Sequence, residues 1–110
     1  MKKINLAEKF SLIQDHWNPR IAGELNGQYL KLVKFQGPFT WHHHENEDEM
    51  FFVVKGRFRM DYREHDSERE EWIEPGEFIV VLNSGAKSRS ALAARYNASV
   101  FHTYDHALTG

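Results

Sequence analysis

Between Gln28 and Leu82 the chain is cut into short apolar runs by glycine, proline and acidic turns, and this punctuation constrains the fold most. YLKLVKF, Tyr29 to Phe35, stops at Gly37-Pro38, and TWHHH stops at the acidic ENED segment. EMFFVV reverses at Lys55-Gly56, and EWIE passes through Pro75-Gly76 into FIVVL. Phe58, Met60 and Tyr62 alternate with Arg57, Arg59 and Asp61, the period of a strand with one apolar face. Runs this short, separated this often, suit a small β-barrel or sandwich. EMFFVV is apolar on both sides after Glu49, so one side should line the interior and the other should meet a second sheet or a partner subunit.

The flanks read differently. Asn5 with Glu8 has the form of an N-cap and its reciprocal acid, and Leu6, Phe10, Ile13 and Trp17 recur at helical spacing. A short helix over about Leu6 to Gln14 is expected, ended by WNPR because Pro19 disfavours helix before it. REHDSERE reads as a solvated loop. After Leu82, NSGAKSRSALAARYNAS shows no alternation and reads as a loop with one helical turn; VFHTYDH, Val100 to His106, is the last expected strand.

At 110 residues, 41% of them hydrophobic, the chain is expected to form one globular domain over 1–110. A net charge of −2 with interspersed signs lacks the basic stripe of a nucleic-acid binder. There is no cysteine, which excludes disulfides, thiolate nucleophiles and Cys-based zinc sites. Glu8 and Lys9 interrupt any signal-like apolar region, and FIVVL is too short to span a bilayer, so no membrane association and a cytoplasmic protein are the expectation.

The seven histidines are many for this length, and three are consecutive. On a strand, residues two apart share a face about 6.6–6.8 Å apart. His42 and His44 therefore project together and His43 away from them. If ENED turns the chain back, Glu49 opens the neighbouring strand and offers its carboxylate to the same point. Two imidazoles and a carboxylate with open positions suit Fe(II), and also Mn, Zn or Ni. The competing reading is a polar turn between strands; spacing alone leaves both open. Trp41 reads as packing, Arg57 and Arg59 as a solvated face, and Glu45, Glu47 and Asp48 as turn residues. Phe35, Phe39, Met50, Phe51, Phe58 and Met60 read as core, or alternatively as the wall of a ligand cavity; Tyr62 and Tyr104 are possible proton donors there.

Gly37, His42, His44, Glu49 and Gly56 stand as G-x4-H-x-H-x4-E-x6-G, which closely resembles the first motif of the cupin superfamily. HWNPR, LVKFQGPFTWHHH, DEMFFVVKGRFRM and EPGEFIVV extend the likeness, over roughly residues 4 to 82, to small single-domain cupins of the "mannose-6-phosphate isomerase-like" group. The resemblance implies an all-β double-stranded β-helix, a jelly-roll barrel with a metal near its mouth, and a homodimer. It implies metal ligation by His42, His44 and Glu49, and oxygenation or isomerisation of a small organic molecule. The second family motif departs: residues 83–98 are atypical, Asn83 stands where a proline is usual, and Ser88 falls where a fourth ligand histidine would be. Three explanations follow: a three-ligand site, a degraded site in a non-catalytic small-ligand-binding protein, or substitution by His102 from the final strand. Rearrangement of the tail and altered strand exchange in a dimer are further expectations to be tested against the fold.

Overall fold

The computed structural model describes the backbone of residues 1–42, 48–64, 67–81 and 89–105, and the side chains of 1–38, 48–62, 67–81 and 98–103. One helix, α1 (Leu6–Ser11), precedes strands β1 (Arg20–Leu25), β2 (Gln28–His42), β3 (Glu49–Lys55), β4 (Phe58–Glu64), β5 (Ser67–Ile73), β6 (Phe78–Val81) and β7 (Arg89–Asp105). Every pairing among them is antiparallel.

Two long strands turn this sheet over on itself. The first half of β2 pairs with the last half of β7, Gln28↔Asp105 through Phe35↔Ala98. The register then shifts, and Gly37 pairs with Ala94. Along its other edge β7 pairs with β3 at Phe51↔His102 and Val53↔Val100, then with β4 at Met60↔Leu92 and Tyr62↔Ser90. One layer is thus β1-β2-β7-β3-β6, and the other joins the far halves of β2 and β7 to β4 and β5. This is the jelly-roll arrangement, built of antiparallel strands with a short N-terminal helix.

The core lies between the layers. Val33, Phe35, Phe51, Val53, Ala98 and Val100 from one meet Phe58, Met60 and Ile73 from the other. Phe58 stands edge-on to Phe35 at 5.2 Å and to Phe51 at 6.1 Å, an arrangement favoured by aromatic quadrupoles. On the outer surface of the first layer, Phe10 and Ile13 of the helical segment pack on Leu32, with Val54 and Phe101 alongside. So the second face of β3 meets α1 rather than another sheet.

Several sequence expectations change here. The Asn5 cap forms, its side chain accepting from the Glu8 amide at 3.0 Å, but the helix stops at Ser11. Trp17 leaves the helical stripe: it stacks on Phe35 at 4.4 Å and donates its indole N–H to the Gln36 carbonyl at 2.7 Å. Asp15 fixes that turn by accepting from Asn18 and Arg20. β1 is a strand that the sequence reading omitted, joined to β2 by Asn26-Gly27, both at positive φ. Gly37-Pro38 does not end β2; Gly37 (φ 77) takes the irregularity, and Pro38 sits beyond Leu32, where β1 pairing has ceased. SEREEW is a strand, β5, held by pairing with β4 although its side chains are exposed. Residues 89–99 belong to β7, an ordinary final strand of the same sheet rather than a loop with a helical turn or a rearranged tail.

Candidate metal centre

The inner face of the first layer becomes polar towards one end. Burial in β3 alternates, so Glu49, Phe51 and Val53 face inward while Met50, Phe52 and Val54 face out. Glu49 is only 6% exposed, and with Ser99 and His102 it makes up the buried polar side chains among the described residues. Buried carboxylates are uncommon and are kept by compensating charge or hydrogen bonds, so Glu49 marks a polar site in an otherwise apolar wall.

His102 lies opposite Phe51 on β7, 7% exposed, and its ring stacks on Phe51 at 5.4 Å with 14° between planes. Since Phe51 contacts Phe58 across the core, His102 is on the inner wall. Lys31 of β2 is opposite His102, and its ammonium lies 5.7 Å from the ring centroid of Tyr29. The sequence reading overlooked Lys31 and Tyr29. Continuing the inward alternation of Phe35 and Val33 back along β2 would have found them.

The strands bring the other predicted segment to the same end. The reversal at Gly56 (φ 77) sends β4 back alongside β3 in the opposite layer, so Tyr62 lies at the Glu49 end. Tyr62 pairs with Ser90, and Ser90 pairs with His42, the last residue of β2. The backbone of His42 therefore arrives at the end of the sandwich where Glu49 and His102 lie. The side chain of His42 and all of His43 and His44 lie outside the described residues, as do Ser88, Glu45 and Glu47 and the side chains of Trp41, Phe39 and Tyr104. Among the described residues no group of three or more His, Asp or Glu side chains forms a metal cradle.

Glu49 and His102 supply donors of the kinds a divalent transition metal takes, carboxylate oxygen and imidazole nitrogen, at the end where the HxH segment enters. The chemistry of these two donors suits such an ion; the imidazoles of His42 and His44, which would complete the set, lie outside the described residues. The other singled-out groups lie elsewhere. Arg57 pairs with Glu74 at 3.2 Å and covers the Trp72 ring. Arg59 forms an ion pair with Asp61, Nε to Oδ1 at 2.7 Å, and the hydrogen bond that its Nη2 donates to Asp61 Oδ2 at 3.0 Å raises the guanidinium pKa further above its ordinary value. Phe35, Phe51, Phe58 and Met60 are core. Met50 instead lines an outer cavity of about 320 Å³ with Leu6, Phe52, Phe78 and Phe101, on the face away from Glu49. No helix among the described residues is long and apolar enough to cross a membrane.

No family model matches the chain. A curated relative, the uncharacterized protein YdbB of Bacillus subtilis (strain 168), is 34% identical over 54 residues, 49% of this chain and 47% of that one. The match thus spans about half the length of each. A solved cupin-2 domain containing protein from Shewanella frigidimarina superposes with a TM-score of 0.83 at 30% identity, covering 93% of both chains. Hydroquinone 1,2-dioxygenase PnpCD, solved in complex with Fe3+, superposes with a TM-score of 0.80 at 13% identity, over 96% of this chain and 32% of that one. At that identity the last likeness is one of fold.

Proposed function

The chain belongs to the cupin superfamily, and from that premise we propose that it holds one divalent metal ion through His42, His44 and Glu49 and acts on a small organic molecule. The observation that carries this reading is Glu49, the acid of the G-x4-H-x-H-x4-E pattern, buried on the inner face at the end that His42 reaches. Two neutral imidazoles and one carboxylate form a mixed donor set that accepts Fe, Mn, Zn or Ni. When bound, the ion supplies Lewis acidity and open positions for a substrate oxygen.

The chain's own groups do the rest. Phe51 and Met60 close the interior below Glu49 and exclude water from beneath the site. Lys31, on the inner face opposite His102, places positive charge on the wall that an anionic substrate group would meet. Tyr62 flanks the same end from the second layer. Oxygenation and isomerisation are the two reaction classes carried forward; the iron-bound dioxygenase of the same fold supports the first.

A second reading, a non-catalytic small-ligand-binding cupin, is favoured by Ser88 at the usual fourth-ligand position. Metal analysis of untagged protein purified without chelators separates the two. Near-stoichiometric metal, lost in a His42→Ala/His44→Ala double variant, supports the first. Folded, metal-free protein that still takes up small ligands supports the second.

We also propose a homodimer built on the outer face of the first layer. β6 ends the strand path of that layer and leaves Phe78 64% and Val80 46% exposed, beside the apolar cavity at α1. An apolar edge of this kind is ordinarily covered.

A further inference from the structure

We propose that His102 is a fourth protein ligand at this site, supplied by the last strand in place of the side chain that Ser88 lacks. The inference rests on the metal-binding reading above and extends it to a residue outside both family motifs. A serine hydroxyl is a poor ligand for a divalent transition metal, whereas a neutral imidazole is the commonest one.

Placement argues for it. His102 is opposite Phe51, and Glu49 is the next inward residue of β3. Such diagonal positions in an antiparallel pair lie about 7–8 Å apart, within reach of long side chains. An imidazole and a carboxylate extended from those positions, with metal–ligand bonds of about 2.0–2.2 Å each, would together span that gap. The register between the two is fixed where the Met50 amide donates to the Thr103 hydroxyl at 3.3 Å. The parallel stack on Phe51 holds the imidazole plane, the kind of support that orients a ligating ring.

A histidine that only packs on Phe51 would be replaceable by phenylalanine without effect on the ion, and this sets the test. Cobalt(II) is titrated into the full-length protein and its His102→Phe, His102→Gln and His42→Ala/His44→Ala variants. Visible absorption and chelator competition are read, with circular dichroism as a control for folding. Loss of a residue that merely supports a ligand costs 10–100-fold in affinity, so loss of a ligand should cost more than about a hundredfold. His102→Phe is expected to stay folded, to lose affinity by that factor, and to change the intensity of the cobalt bands. If the phenylalanine variant does not fold, His102→Gln, which keeps a polar side chain of similar volume, gives the same reading. Unchanged affinity and spectrum in the folded variant, with binding abolished in the double variant, would overturn this inference and leave the three-ligand reading standing. Wild-type protein that takes up no cobalt would overturn both.

Discussion

Replacing Trp17 tests how the connection after α1 closes the sandwich. The residue is half-buried and sits at φ 59, a backbone region that a bulky side chain adopts only when its surroundings hold it there. Its amide donates to the Lys34 carbonyl at 2.9 Å, its indole N–H donates to the Gln36 carbonyl at 2.7 Å, and its ring lies flat on Phe35. Removing a half-buried indole returns roughly 100 Å² of apolar surface to water, about 2.5 kcal/mol at 25 cal/mol per Å². The stack adds about 0.5–1.5 kcal/mol and the side-chain hydrogen bond about 0.5–1.5 kcal/mol. Trp17→Ala should therefore cost about 3.5–5.5 kcal/mol, a large share of the stability of a domain this size. Trp17→Phe keeps the stack and loses mainly the hydrogen bond, about 1 kcal/mol. With a urea m-value of about 1.5–2 kcal/mol/M, the midpoint should fall by about 2–4 M for alanine and about half a molar for phenylalanine. Midpoints for both variants within 0.2 M of wild type, roughly 0.4 kcal/mol at such m-values, would refute the reasoning.

Three further outcomes are expected. Gly37→Ala places a β-carbon at φ 77 with no atom within 4 Å, so its cost is purely conformational, about 1–2 kcal/mol, read from the same urea midpoint; no loss would mean the bulge is absent. The Asp15 carboxyl is held below its ordinary 3.8 by hydrogen bonds from Asn18 and Arg20, outweighing a small opposing effect of burial. Because the folded value is depressed, its contribution to stability is present above the unfolded pKa and is lost as pH falls through the folded one. An NMR titration should find its midpoint below 3.8, and one above 3.8 would contradict the clamp. Phe78→Glu with Val80→Lys should give monomers by sedimentation where the wild type gives dimers; dimers in both would place the interface elsewhere.

Much of the architecture was legible in local chemistry. The Asn5 cap, the alternation of Phe58, Met60 and Tyr62, and the Pro75-Gly76 turn each have a local cause, and each formed. The misreadings share another: the deciding interaction is distant in sequence. β5 carries almost no apolar signal, because its strand identity comes from seven pairings with β4. The first half of β7 is small and polar, but is strand because β2 and β4 bracket it. Asn26-Gly27, a strong hairpin signal, was legible and was overlooked. At the site, the inward placement of Glu49 and His102 followed from strand parity, whereas the approach of His42 to their end depends on how β2 folds from one layer into the other.

The central claim is tested most directly by anomalous diffraction from crystals of protein loaded with a divalent transition metal. The account predicts one anomalous peak within bonding distance, about 2.0–2.2 Å, of a nitrogen from each of His42 and His44 and an oxygen of Glu49. A fully loaded crystal with its peak elsewhere, or with Glu49 turned away from the ion, would contradict it.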